Sequence, residues 1–175
     1  NYEAYIDKVD ISVFPSKYYA TEYNKLSPKN LYLGNTKYDN MLSESEIYKK
    51  FNLNSNNKHV LLFFPKKKFR KTLPIKRNEL EKIYEYLKKM RYTIIVKARP
   101  KELEQHGSND IRVDGKLKGD KLVVSEIYPN ESVELLKICK FCVLFSSSAV
   151  EETIMTGTPT IDLVSDNDKA TIGGK

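Results

Sequence analysis

Residues 140–165, KFCVLFSSSAVEETIMTGTPTIDLVS, limit what this chain can fold into more than any other stretch does. Phe141 to Phe145 is a short apolar run without polar alternation, the pattern of a strand buried on both faces of a parallel sheet. Serines follow at 146, 147 and 148. Ser148 stands at capping-box spacing from Glu151, so a helix is expected to begin there. Gly157 marks its end, because glycine enters the left-handed conformation beyond a helix at no steric cost, and Pro159 keeps the helix from resuming. Thr160 to Val164 is then expected as a second buried strand.

A strand, a serine turn and a helix in that order present backbone N–H groups and hydroxyls where the helix dipole favours an anion. Such a turn is a seat for phosphate. Glu151 and Glu152 point in directions about 100° apart around the helix and need separate readings. Glu151 is the expected structural partner of the Ser148 cap. Glu152 either complements the helix dipole or accepts hydrogen bonds from the two hydroxyls of a ribose beside the phosphate, and spacing alone leaves both readings open.

The run SSSAVEETIMTGTP resembles the donor-nucleotide signature of the GT-B glycosyltransferases: small residues, a helix with an acidic residue, then Gly-x-Pro and a strand. It is similar to the matching run of UDP-N-acetylglucosamine 2-epimerases, which carry two glycines at Ser147 and Ser148 and then the Glu151–Glu152 pair. It is also similar to that of CDP-glycerol glycerophosphotransferases, which carry two serines at those positions. The resemblance implies an α/β fold with a Rossmann-like parallel sheet and helices on both faces, one half of a GT-B protein. It further implies that Ser146, Ser147 and Ser148 hold a diphosphate and Glu152 the ribose.

The rest of the chain fits that expectation. Val9, Ile11 and Val13 alternate with polar residues before Pro15, and Lys17 to Asn24 reads as a short helix capped by Ser16. Leu31 to Asp39, LYLGNTKYD, resembles the crossing between the two GT-B halves, with Thr36 in place of a proline. Residues 1–30 are then the end of an amino-terminal half, 31–42 a linker and 43–175 the donor-nucleotide domain. Ser43 and Glu46 form a capping box with Leu42 and Ile47 as the staple of a helix to about Asn52. Strands are expected at Val60 to Phe64, Tyr92 to Lys97, Ile111 to Val113 and Leu122 to Ser125. Helices are expected from Ile75 to Arg91, with Leu80, Ile83, Leu87 and Met90 as its apolar stripe, and from Asn130 to Cys139. Alternating strands and helices call for a parallel sheet with right-handed crossovers, whose ligands bind beyond the carboxyl ends of the strands.

That rule selects the loops 66–71, 97–99, 125–128 and 146–148. In the first, Lys66, Lys67, Lys68, Arg70 and Lys71 concentrate much of a formal net charge of +7. They are either a solvated face or the grip on an anion. The resemblance carries Arg70 to the donor diphosphate and leaves the lysines for an anionic acceptor. In the second, the relatives commonly have His-Pro where this chain has Arg99-Pro100. An arginine stays protonated and cannot act as a base, so Arg99 is expected to neutralise a leaving diphosphate. His59 and His106 read as incidental.

Cys139 and Cys142 form a single Cys-x-x-Cys without a second pair, and read as buried free thiols in a reducing compartment. No zinc spacing, Walker loop, EF-hand run or Ser-His-Asp order is present, and no metal or cofactor is expected. The expected function is transfer of a sugar or glycerophosphate from a UDP- or CDP-linked donor, for a cell-surface polysaccharide or teichoic-acid-like polymer. The setting is cytoplasmic, at the inner membrane surface when the acceptor is anionic and membrane-linked. The acceptor side and the catalytic base are expected in the amino-terminal half. A UDP-sugar 2-epimerase and a basic polyanion-binding module are the alternatives, and nucleic acid is not an expected partner.

Overall fold

A strand with no polar side to show must be covered on both faces, and Val60, Leu61 and Leu62 are all fully buried. In the computed structural model, which describes residues 10–14, 17, 30–34, 38–63, 77–98, 118–124, 131–145, 147 and 149–163, the chain forms two compact units, Asn1–Asn40 and Met41–Lys175. In the first, β1 (Ser12–Phe14) and β2 (Asn30–Tyr32) pair in parallel, and the Leu33 amide donates to the Phe14 carbonyl at 3.2 Å.

The second unit runs α1 (Glu44–Phe51), β3 (Lys58–Phe63), α2 (Arg77–Lys89), β4 (Tyr92–Ala98), β5 (Lys121–Val124), α3 (Glu131–Ile138), β6 (Cys139–Leu144), α4 (Val150–Thr156) and β7 (Thr160–Asp162). The five strands from β3 onward make one parallel sheet in the order β5-β4-β3-β6-β7. Strand alternation divides the core in two. Leu61, Ile95, Val123, Cys142 and Leu144 meet α1, α3 and the start of α4 on one face. Val60, Leu62, Ile94, Val96, Val143 and Phe145 meet Leu80, Tyr84 and Leu87 of α2 on the other. This is the expected Rossmann-like α/β arrangement.

Local chemistry sets the boundaries. Ser43 caps α1: its hydroxyl accepts from the Glu46 amide at 3.4 Å, and its own amide donates to the Glu46 carboxylate at 2.8 Å. Asn52, with φ of 50°, ends that helix in the left-handed conformation. The helix expected to reach Arg91 stops at Lys89, where Arg91 turns to positive φ. Met90 therefore leaves the apolar stripe and is 50% exposed. The strand expected from Phe141 starts at Cys139, directly after Ile138 ends α3. An irregularity between His59 and Val60, where the partner in β6 passes from Cys139 to Phe141, puts both Cys139 and Cys142 into the same core layer as buried free thiols.

The expected burial of the last strand needs correction. β7 lies at the sheet edge, and Ile161 is 51% exposed. The expected strand at Ile111 to Val113 and the Asn130 cap lie outside the described residues, as does the 17–24 helix except Lys17, which is helical.

Gly119 permits the approach to β5. It has φ of +69°, and a Cβ there would sit 2.7 Å from the Ile94 carbonyl oxygen. The next residue, Asp120, exchanges backbone hydrogen bonding with β4, its amide donating to the Ile94 carbonyl at 2.9 Å while its carboxylate accepts from the Ile94 amide at 2.8 Å. Gly119→Ala adds both a clash and an unfavourable φ, and is expected to cost about 1–3 kcal/mol by chemical denaturation.

His59, buried at the amino end of β3, has a ring Nε2 3.0 Å from the Asn54 carbonyl, so Nε2 donates. Its Nδ1 is buried and has no partner among the described residues. Burial holds the ring pKa below its ordinary 6.5, opposed by the Asn54 hydrogen bond. Protons are thus taken up more readily by the unfolded chain as pH falls below 6.5. The stability contributed by neutral His59 is present above that pH and lost below it, so His59→Leu is expected to flatten part of the acid limb in a plot of unfolding midpoint against pH.

Candidate functional site

Strand order reverses between β3 and β6. From β3 the chain crosses by α2 toward β4 and β5, then returns through α3 to the other side of β3. Beyond the carboxyl ends of such a neighbouring pair the loops diverge and leave a crevice. β3 ends at Phe63, and β6 ends at Leu144 and passes by Phe145 to Ser147. The serine turn therefore lies at the switch point. The basic stretch with Lys66, Lys67, Lys68, Arg70 and Lys71 follows β3, and those side chains lie outside the described residues, as do Arg99, Ser146 and Ser148.

Ser147 and Glu152 are the expected site residues that the structure describes. The Ser147 hydroxyl accepts from the Ala149 amide at 3.3 Å, and its carbonyl accepts from the Val150 amide at 3.3 Å. The Ser148 half of the expected Ser148–Glu151 capping box lies outside the described residues. The cap of α4 is Ala149, already at helical φ and ψ of −64° and −6° and without a side-chain cap bond, while Glu151 is exposed. The helix begins one residue later than the spacing predicted because the Ser147 turn supplies its entry.

At the other end Gly157 takes φ of 67°, and its amide meets the Ile154 and Thr153 carbonyls, as its position predicted. Thr158 is buried, and its hydroxyl donates to the Leu136 carbonyl of α3 at 3.0 Å. Its oxygen lies 2.8 Å from that of Thr156, whose hydroxyl is also 2.9 Å from the Glu152 carbonyl. The turn after α4 is thereby tied to the end of α3.

Sequence reasoning missed a set of charges carried by β4 and the helices. Lys97, in the buried run of β4, is only 6% exposed and donates from Nζ to Glu131 Oε2 at 3.1 Å. Glu131 is the first residue of α3. One turn further, buried Glu134 accepts from Lys50 of α1 at 2.6 Å. Glu152 of α4 is 8% exposed. Burial pushes the Lys97 ammonium below its ordinary pKa. The hydrogen bond and charge of Glu131 and the charge of Glu152 oppose that shift, and the charge of Lys50 adds to it. The signal was in the sequence: a lysine inside the strand YTIIVKA has to be paired to be buried.

No family model and no curated protein matches the chain. Among solved structures it is similar to a family 9 glycosyl transferase from Veillonella parvula, at 12% identity and a TM-score of 0.53 over 91% of this chain and 58% of that one. It is also similar to the ADP-heptose LPS heptosyltransferase II of E. coli, at 16% identity and a TM-score of 0.51 over 70% of this chain and 38% of that one. The chain thus spans less than two thirds of either protein. The likeness shows the fold, an α/β parallel sheet of the kind these glycosyltransferases contain. Among the described residues no helix is long and apolar enough to cross a membrane, and no cluster of side chains is suited to a metal ion.

Thr158 gives a direct check on how firmly α4 is held. Thr158→Val keeps the shape and deprives the Leu136 carbonyl of its buried donor, and is expected to lower stability by about 1–2 kcal/mol in urea unfolding.

Proposed function

We propose that residues 41–175 form the donor-binding half of a GT-B-type transferase that uses a nucleoside diphosphate-linked donor. The observation that carries this reading is the position of the serine turn: it leaves β6 at the reversal of strand order and leads directly into α4. The fold shared with two glycosyltransferases supports it. Amides and hydroxyls of 146–148 seat the diphosphate, Arg70 and Arg99 neutralise the charge that develops as it leaves, and Glu152 receives the ribose hydroxyls. A UDP or CDP donor, carrying a sugar or glycerophosphate, follows from the likeness to the epimerases and glycerophosphotransferases. Lys66, Lys67, Lys68 and Lys71 suit an anionic, membrane-linked acceptor on the cytoplasmic side, as in synthesis of a cell-surface polymer. The other half of such a transferase supplies the acceptor site and the base.

Calorimetric titration with UDP, CDP, GDP and ADP at two salt concentrations tests this. The expected result is a preference for one nucleotide, weaker at high salt. Glu152→Gln, which keeps the side-chain volume, is expected to reduce that affinity about tenfold while the domain still melts cooperatively. Unchanged affinity removes Glu152 from the site, and no binding to any of the four removes the donor reading.

A further inference from the structure

α2 buries Leu80, Tyr84 and Leu87 against the sheet and turns its other side outward. Lys82, Tyr86 and Lys89 recur on that outer side at helical spacing, and the Met90 amide donates to the Tyr86 carbonyl at 3.0 Å, which carries the same side one residue beyond the helix. Tyr86 is 64% exposed there, and Met90 lies next to exposed Arg91. The Lys88–Asp120 ion pair fastens this end of α2 to the residue before β5, which brings exposed Lys118 and half-buried Lys121 to the same corner. Lys82, Lys89, Arg91, Lys118 and Lys121 stand against Glu85 and half-buried Glu81, so positive charge is in excess whichever groups those two carboxylates meet. A merely solvated basic face has no use for a tyrosine and a methionine standing out among its cations.

We propose that this corner docks on an anionic lipid surface, with Tyr86 and Met90 entering the headgroup region while the lysines and Arg91 meet the lipid phosphates. Tyrosine suits that depth, since its ring is apolar and its hydroxyl remains wet, and each cation near such a surface adds to the attraction. Methionine favours lipid over nucleic acid, because its thioether gains from an apolar medium and offers no flat ring for a base to stack on. The proposal does not rest on the donor reading. The corner lies at the amino end of β4, whereas the serine turn lies beyond the carboxyl end of β6 in the same parallel sheet. α2 lies across one face of that sheet, so a lipid surface held on its outer side leaves the carboxyl ends of the strands open.

The experiment is co-sedimentation of the full chain with vesicles of phosphatidylcholine alone and of phosphatidylcholine with about a third phosphatidylglycerol. The wild-type chain is expected to bind the anionic vesicles and not the neutral ones, less tightly as salt rises. Lys82→Gln, Lys89→Gln and Arg91→Gln combined are expected to weaken that binding at least about tenfold, and Tyr86→Ser with Met90→Ser about fivefold. All five side chains are exposed, so the unfolding midpoints should stay at the wild-type value. The chain has no tryptophan, so Tyr86→Trp supplies a single reporter whose emission is expected to move to shorter wavelength on anionic vesicles. Emission that stays put while the chain is bound overturns the proposal, as does a wild-type chain that binds neither vesicle. Binding lost on changing Lys66, Lys67, Lys68 and Lys71 to Gln, but kept in the α2 variants, assigns the contact to the basic stretch and overturns it too. Equal affinity for single-stranded DNA, indifferent to Tyr86 and Met90, marks a general polyanion surface and overturns the lipid as partner.

Discussion

Hydrogen bonding on both edges of β3 is the constraint from which the rest of the second unit follows. Its amides and carbonyls pair with β4 on one side and β6 on the other, and both of its faces are covered by helices. Once it is enclosed, the carboxyl ends of its neighbours are where loops can diverge and polar groups can reach solvent. The serine turn, the basic stretch and the buried lysine all follow from strands that flank or include β3.

Much of this sheet was legible because its strands are unmixed apolar runs and its helices carry strong local punctuation. Ser43 with Glu46 set one helix start, and Gly157 with Pro159 set one helix end, because each acts through bonds within a few residues. The start of α4 was less legible. A serine three residues before a glutamate does not by itself say which residue becomes the cap, and here Ala149 stands there at helical angles. The edge position of β7 was illegible too, since an apolar run does not reveal how many neighbours it has.

The candidate site divides along the same line. Ser147 was found from its place after a strand, but the arrangement of Lys97, Glu131, Glu134, Lys50 and Glu152 joins residues far apart in sequence that only the crossovers bring together. Glu152 read either as a complement to the helix dipole or as a ligand of ribose hydroxyls, and the fold buries it to 8% exposure. Such charges are weak contributors to stability compared with apolar replacements, while deletion of one partner of a buried pair costs about 3–5 kcal/mol.

The reversal of strand order also has a consequence in time. β3 can pair with β4 as soon as α2 has been made, but its other edge waits for the chain to run on to Cys139. Until then Leu61 and Ile95 lack the helix α3 that covers them, and half of the sheet's centre is an open edge. Closing a loop of that length is an entropic barrier, and parallel pairing repays it only at the end. During synthesis, the same strand that later anchors the domain is the one most exposed to pairing with the wrong neighbour.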